Sequence, residues 1–193
     1  MQQYTKEKFH ENGQLEACYY YMGTVFHRED GPAITEYFEN GKIKYQEWLI
    51  NGNRHREDGP AFIFFSKNGS LLTSRYYING KVERIDGPAI QSFFRDGSKE
   101  SRIWYKDDDI HREDGPAYEE FYLNGSIRER EWFINGIHHR KDGPARETFS
   151  ESGRCMGSFY FLFGEQLAEH EYRRRIVLLD LSKKINTGCG VSL

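Results

Sequence analysis

The heptapeptide His-Arg-Glu-Asp-Gly-Pro-Ala occupies residues 27–33 and recurs unchanged at residues 55–61 and 111–117. Near copies lie at residues 83–89, with the sequence ERIDGPA, and at residues 139–145, with the sequence HRKDGPA. Each copy begins 28 residues after the preceding one. Five copies at one spacing identify an internal repeat, and a period of this length is typical of proteins that stack one small structural unit on the next.

Glycine-containing turns follow the same period. One set comprises Asn12-Gly13, Asn40-Gly41, Asn68-Gly69, Asp96-Gly97, Asn124-Gly125 and Ser152-Gly153, and a second set comprises Asn51-Gly52, Asn79-Gly80 and Asn135-Gly136. Asn-Gly and Asp-Gly are favoured in two-residue hairpin turns, in which both central residues have positive φ. Each unit is therefore predicted to run strand, turn, strand, turn and Asp-Gly-Pro loop. Closure at Asn40-Gly41 places Tyr37 opposite Lys44 and Ala33 opposite Trp48.

The repeat also predicts the domain organisation. We expect a β-hairpin array over residues 1–171, made of a partial unit (4–31) and five full units (32–59, 60–87, 88–115, 116–143 and 144–171). Two turns depart from the pattern: Met22-Gly23 comes one residue early, which predicts altered geometry, and Lys106-Asp107-Asp108-Asp109 replaces an Asn-Gly turn. From Glu165 to about Ile185 the apolar residues follow a helical period, so residues 172–193 are predicted to form a C-terminal helical cap and tail. The predicted fold is all-β, an elongated twisted antiparallel sheet of about twelve strands in tandem hairpins.

Composition and charge limit the class of protein. Aromatic residues make up 16% of the 193 residues, which favours β-structure over disorder. The formal net charge is −3, which argues against nucleic acid as a partner. Cys18, Cys155 and Cys189 are too few and too far apart for a disulfide framework. The sequence shows no apolar leader and no apolar run long enough to span a bilayer, so we expect a cytoplasmic protein.

Alternation along each strand places different side chains on the two faces of the sheet. The aromatic face carries the Ala of each loop and two columns of rings, one of Tyr37, Phe65, Phe93, Phe121 and Phe149, the other of Tyr20, Trp48, Tyr76, Trp104, Trp132 and Tyr160. We expect the aromatic face to be structural. The variable face differs between units, and its candidate partner-binding residues are Phe62, Tyr77, Phe94, Tyr105, Tyr118, Tyr122 and Phe133. Either the sheet curls so that both faces are buried, or the variable face binds another protein.

The His-Arg-Glu-Asp loops have one structural and two chemical interpretations. Asp-Gly-Pro is a turn sequence, and an Arg can pair with an Asp of its own or the next loop, so we predict a ladder that keeps neighbouring units in register. The ladder residues are Arg28, Asp30, Arg56, Asp58, Asp86, Arg112, Asp114, Arg140 and Asp142. Metal binding by the loop histidines is disfavoured because like residues of successive units lie about 10 Å apart. Catalysis is disfavoured because an enzyme has one constellation, whereas these residues recur in every loop. We therefore expect no catalytic residue, no metal and no cofactor.

Tandem YYxNGxxHREDGPAxxxYxxNG units over residues 4–171 resemble the MORN-type repeats of many giant-virus, phage and bacterial proteins. They are similar to the MORN variant described in bacteria as a toxin–antitoxin component. The resemblance implies consecutive β-hairpins in one elongated sheet and a role in interaction or scaffolding, and it supplies no catalytic residues. MORN units proper are shorter and have Gly where this chain has Asp-Gly-Pro-Ala, so the membrane-lipid roles of that family are not carried over.

We expect a non-enzymatic repeat module that binds a protein partner. The resemblance implies a sharper version, a viral or phage accessory protein that acts in the host cytoplasm by blocking a host factor, such as a component of its defence. Two alternatives stay open. The chain could bind a small ligand or nucleotide in a pocket between hairpins, or it could self-associate edge to edge as an architectural scaffold.

Overall fold

The computed structural model describes residues 2–188, with side chains as far as residue 182. Thirteen strands within this range form one antiparallel sheet whose strand order follows the chain, and a short fourteenth strand pairs near its N-terminal end. Four separate two-stranded sheets accompany it. The all-β prediction and the C-terminal helix are confirmed, while the predicted tail at residues 189–193 lies outside the described residues.

The elements follow the repeat. Unit 4–31 contains β1 (Gln3–Phe9), β2 (Leu15–Met22) and β3 (Val25–Phe26). Unit 32–59 contains β4 (Ile34–Tyr37), β5 (Ile43–Glu47), β6 (Leu49–Ile50) and β7 (Asn53–Arg54). Unit 60–87 contains β8 (Phe62–Phe65), β9 (Leu71–Arg75), β10 (Tyr77–Ile78) and β11 (Lys81–Val82). Unit 88–115 contains β12 (Ile90–Phe93), β13 (Lys99–Ile103), β14 (Tyr105–Lys106) and β15 (Asp109–Ile110). Unit 116–143 contains β16 (Tyr118–Phe121), β17 (Ile127–Glu131), β18 (Phe133–Ile134) and β19 (Ile137–His138). The last stretch contains β20 (Arg146–Phe149), β21 (Cys155–Leu162), β22 (Glu165–Leu167) and the helix α1 (Glu169–Gly188).

The first turn of each full unit is a three-residue loop. In unit 32–59 the Gly41 N–H donates to the Phe38 carbonyl at 2.8 Å, and the Phe38 N–H donates to the Lys42 carbonyl at 2.9 Å. Gly41 has a φ of +77°, whereas Asn40 is not among the residues with positive φ. The two-residue turn predicted here is therefore wrong, because the Asn-Gly pair forms the end of a longer loop in which only the glycine needs positive φ.

A β-bulge follows this loop. Tyr37 lies opposite Ile43 rather than Lys44, and the next pair is Glu36 with Tyr45, so Lys44 is an extra residue on its strand. Beyond the bulge the pairing agrees with the predicted register again. The same shift recurs in the other four full units. An extra residue per hairpin explains why the prediction failed beside the turn and succeeded at the far end.

The second turn of each unit is the two-residue turn that the sequence predicts. Asn51 and Gly52 both have positive φ, +50° and +80°. Asp107 and Asp108 take the same conformation in unit 88–115, with φ of +51° and +69°. In the N-terminal unit Met22 pairs with Val25, so the turn residues are Gly23 and Thr24, and Gly23 alone has positive φ. The altered geometry predicted near Met22-Gly23 is thus confirmed, since it differs from the other second turns.

Successive short hairpins are joined to one another by backbone hydrogen bonds. The Gly52 N–H donates to the Phe26 carbonyl at 2.9 Å, and the Arg28 N–H donates to the Leu49 carbonyl at 3.0 Å. The Ala that closes each loop lies where the loop enters the main sheet, and Ala33, like its four counterparts, has 0% exposure. A methyl group is therefore the largest side chain that these positions accommodate without displacement of their neighbours.

The helix α1 covers the last unit. Leu162, Leu167 and Tyr172 form a buried cluster, against which Tyr160 and Ile176 pack. The helix that was predicted from Glu165 begins at Glu169, because residues 165–167 form β22 against the end of β21. Within the described residues no helix is both long and apolar enough to cross a membrane.

Candidate functional site

The five loops share one frame, which is built on a stacked guanidinium group. Arg56 lies over the ring of Trp48, with its Cζ atom 4.1 Å from the ring centroid, and its Nε donates to Asp58 Oδ1 at 2.7 Å. A Cβ atom on Gly59 would lie 2.9 Å from Arg56 Cζ, so glycine leaves the space that the guanidinium occupies. The loop conformation therefore depends on Arg, Asp and Gly together.

The predicted ladder residues lie in this frame. The pairs Arg28–Asp30, Arg56–Asp58, Arg112–Asp114 and Arg140–Asp142 each have Nε 2.7 Å from Oδ1. The Arg hydrogen bond lowers the pKa of each of these four carboxyl groups. Arg84 also stacks on its ring, 4.0 Å above Tyr76, but among residues 2–182 Asp86 has no hydrogen bond or ion pair with it. Each pair lies inside one loop, so these pairs by themselves do not connect neighbouring loops.

The connection between loops is made by histidine. His27 Nδ1 accepts a hydrogen bond from the Asn51 N–H in the next short turn at 3.1 Å. The contacts from Asn79 to His55, from Asn135 to His111 and from Phe163 to His139 have the same length. Sequence reasoning missed this contact, although a constant separation of 24 residues between the His and the turn residue was available as a signal.

The histidine connection between unit 60–87 and unit 88–115 is missing, and both of its residues are replaced. Glu83 stands where the other loops have His, and Asp107, 24 residues later, stands where the other turns have Asn or Phe. Instead, the turn is held by Asp108, whose Oδ1 accepts the Val82 N–H at 2.7 Å. Lys81 Nζ lies 3.5 Å from Asp107 Oδ1. The third loop, residues 83–89, is therefore the place where the repeat departs furthest from its own pattern.

Five of the seven candidate partner-binding residues lie in two adjacent columns of the variable face. Phe62, Tyr105, Tyr118 and Phe133 are half-buried, whereas Tyr77 is only 8% exposed. Burial raises the pKa of the Tyr105 and Tyr118 hydroxyls, that of Tyr118 to about 12. The four half-buried rings keep part of their surface exposed, while Tyr77 belongs to the packed interior of this face.

Guanidinium groups join these columns. Arg54 Cζ lies 5.5 Å from the centroid of Phe62 and 5.3 Å from that of Tyr77, and its Nη2 lies 3.1 Å from Glu47 Oε1. At the other end of the face the Phe133 and His138 rings are 4.0 Å apart. The variable face is thus partly covered by its own cations rather than by a second layer.

Phe94 and Tyr122 lie apart from the other candidates. Both stand at the start of the first hairpin turn, where the Phe94 N–H donates to the Ser98 carbonyl and the Tyr122 N–H donates to the Ser126 carbonyl. The Tyr122 hydroxyl donates to the Phe149 carbonyl of the next hairpin at 2.9 Å. The seven candidates therefore do not form one patch.

The aromatic face carries a charged ladder that sequence reasoning did not identify. Arg102 lies between the two ring columns, 5.4 Å from the Trp104 centroid and 5.2 Å from the Phe121 centroid. Its Nη2 lies 2.6 Å from Glu119 Oε2. Arg130 and Glu147 repeat this arrangement 28 residues later, with 3.0 Å between Nη2 and Oε2. Cations of the sheet thus fill the spaces between rings, which supports a structural role for the aromatic face.

Open grooves separate the loops on the edge of the array. Cavities of about 520 and 610 Å³ lie on either side of the third loop, and one of about 930 Å³ lies between the fourth and fifth loops. Rings of Tyr76, Trp104 and Trp132 line them together with the stacked guanidinium groups. The described residues hold no group of three or more His, Cys, Asp or Glu placed to bind a metal ion.

Comparisons with protein-family models, with curated proteins and with solved structures give no match to this chain. The MORN resemblance therefore stays a prediction from the sequence motifs.

Proposed function

We propose that this chain is a non-enzymatic repeat module that binds a protein partner through its variable face. The observation that carries the proposal is the set of half-exposed aromatic side chains Phe62, Tyr105, Tyr118 and Phe133. Phe62 and Tyr118 lie on the main sheet, and Tyr105 and Phe133 lie on the short hairpins β14–β15 and β18–β19. Rings held rigidly at a surface provide large apolar contact area at little entropic cost, which is typical of protein-binding hot spots.

The charges on this face favour a protein over nucleic acid. Arg54 is paired with Glu47, and Arg146 is paired with Glu129. Neutralisation of these two cations within the sheet lowers the positive charge that could attract phosphates, and Arg75, 5.4 Å from the Phe62 centroid, has no acidic partner among residues 2–182. The family resemblance extends the proposal to a viral or phage accessory protein whose partner is a host factor.

The experiment is a parallel capture from the native cell with tagged wild-type chain and the double variant Tyr105→Ala/Tyr118→Ala. We expect recovery of the partner to fall about tenfold or more. Leu123→Ala is the matched control, because Leu123 is 59% exposed but lies in a hairpin turn away from the two columns. All three proteins should melt within about 4 °C of one another, so that lost capture reports a lost contact. Equal recovery by the double variant and the wild type would contradict the proposal.

A second candidate, a binder of small ligands, is favoured by one observation. The groove of about 930 Å³ falls in the size range of small-molecule sites and is lined by Trp132, Arg112 and Arg140. Native mass spectrometry of the purified chain distinguishes the two: a bound molecule at monomer mass favours the ligand, and a co-purifying protein favours the module. A multiple of the chain mass would instead indicate self-association.

A further inference from the structure

The loops present one free position on an otherwise invariant frame. Arg and Gly of each loop are engaged by the stack on the aromatic ring and by the space above the guanidinium, and the Asp of four loops is engaged by the Arg–Asp bond, which the loop at residues 83–89 lacks. The third residue of each loop motif lies outside these contacts and points to solvent. In the second loop this residue is Glu57, whose side chain is 86% exposed. The Arg–Asp bond is the same in the loops that have Glu at this position and in the loop that has Lys141.

The residue at the free position differs along the array. In chain order it is Glu29, Glu57, Ile85, Glu113 and Lys141. Ile85 is 92% exposed and is held between the two grooves of about 520 and 610 Å³. An isoleucine at that exposure contributes nothing to the core, so its side chain is free to contact another molecule.

The residues that match Ile85 on the two flanking loops, Glu57 and Glu113, are both acidic. Arg56 and Arg112 are each paired with the Asp of their own loop. The carboxylates of Glu57 and Glu113 lie 3.9 and 3.5 Å from the Nε2 atoms of His55 and His111, and these two Glu side chains remain 86% and 78% exposed on the flanking loops. At the free position, the three central loops therefore present an acidic, an apolar and an acidic side chain in sequence. Its complement is a basic, an apolar and a basic group.

The spacing of the loops matches an extended polypeptide. Successive loops are separated by two strands, or about 10 Å, and an extended chain advances about 10 Å in three residues. We propose that the loop row of Glu57, Ile85 and Glu113 binds an extended segment of the protein partner that carries Lys or Arg, then an aliphatic residue, then Lys or Arg at every third position. This inference rests on the proposed function and names the chemistry of the partner.

The test uses a synthetic peptide as the probe. A basic–apolar–basic pattern reads the same in both chain directions, so one peptide tests both orientations of binding. Fluorescein-labelled Lys-Ser-Gly-Leu-Ser-Gly-Lys is titrated with the full chain by polarisation in low-salt buffer, together with versions that have Lys or Ser in the centre. We expect the Leu-centred peptide to bind about fivefold or more tightly than either of the others. Ile85→Glu should reverse the order in favour of the Lys-centred peptide.

The matched control is Leu123→Glu, which adds the same charge at another exposed aliphatic residue and should leave the order unchanged. Equal affinities for the three peptides, or equal effects of Ile85→Glu and Leu123→Glu, would overturn the inference. Glu57→Gln/Glu113→Gln should lower affinity for the Leu-centred peptide with unchanged melting, and an unaltered affinity would also overturn it.

Capture of the native partner separates this inference from the proposed function. Loss of the partner by Ile85→Glu supports the loop row as a contact. Retention by Ile85→Glu with loss by Tyr105→Ala/Tyr118→Ala would reject the loop row and leave the proposed function standing. Retention of the partner by both variants would reject both surfaces.

Discussion

The Nδ1 atom of His27 accepts the backbone N–H of Asn51, which lies 24 residues further along the chain and in the next short turn. A nitrogen that accepts a hydrogen bond must be unprotonated, so the contact exists only while the imidazole is neutral. His55, His111 and His139 make the same contact, which ties four of the short turns to the loop of the preceding unit. Four imidazole groups thus connect successive units of the array through the same hydrogen bond.

Acidification should weaken the array. Burial and the nearby Lys141 lower the pKa of His139 in the folded chain below its ordinary value. As the pH falls below about 6.5 the unfolded chain takes up the proton first, so the stability that neutral His139 contributes is lost as the pH passes through the folded pKa. We expect the melting temperature to fall between pH 7 and pH 5. His139→Gln, which keeps an acceptor for the Phe163 N–H, should show a shallower decrease, and an identical slope would contradict this assignment.

The stability lost when a loop glycine is replaced by alanine should depend on the distance between the new Cβ atom and the stacked guanidinium group. At Gly59 a Cβ atom would lie 2.9 Å from Arg56 Cζ, whereas at Gly87 it would lie 3.3 Å from Arg84 Cζ. Gly59→Ala should lower the free energy of unfolding by about 1–3 kcal/mol because the guanidinium must move off its ring. Gly87→Ala is the matched control with the smaller expected loss, and chemical denaturation compares the two. The reverse order would show that the guanidinium stack does not limit this position.

The loop aspartates should differ in their effect on stability. Asp58 accepts a hydrogen bond from Arg56, whereas Asp86 has no such bond among the residues whose side chains are described. Asp58→Asn should therefore lower the melting temperature, and Asp86→Asn should leave it close to the wild-type value. Since both side chains lie in the same type of loop, each serves as the control for the other. Equal melting of the two variants would indicate that the Arg–Asp bond does not stabilise the loop.

Removal of one hydroxyl should loosen the cap. Tyr172 is 4% exposed, and its hydroxyl donates to the Arg140 carbonyl at 3.0 Å and accepts the Gly143 N–H at 3.1 Å. Tyr172→Phe leaves both backbone groups without this partner, so the free energy of unfolding should fall by about 1–3 kcal/mol. Tyr4→Phe is the control, since Tyr4 is exposed on the first strand. An unchanged stability of Tyr172→Phe would show that solvent replaces the hydroxyl.

Tyr172 also covers the last ring of the second aromatic column, which has no Arg to cover it. In five units the Arg of the following loop covers the ring of the second aromatic column, but Tyr160 is followed eight residues later by Ala168. The ring of Tyr172 lies 4.9 Å from that of Tyr160 and covers it instead. A helical pattern in the sequence predicted a cap, but only the folded chain shows which side chain replaces the missing Arg.

The sequence by itself determined the 28-residue unit, the all-β class and the short two-residue turns. These features are local, because glycine and asparagine tolerate positive φ and side chains alternate along a strand whatever the rest of the chain does. The helical character of the tail is likewise a property of neighbouring residues.

The tertiary structure decided the bulge at Lys44, the contact from His27 to Asn51, the burial of Tyr77 and the exposure of Ile85. The bulge depends on how the two strands of one hairpin pair, and the other three features depend on how loops and hairpins pack against their neighbours. A hydrogen bond over 24 residues is set by stacking of the units, and the covering of a ring by the Arg eight residues later is set by the path of the loop, so each leaves only a faint periodic trace in the chain.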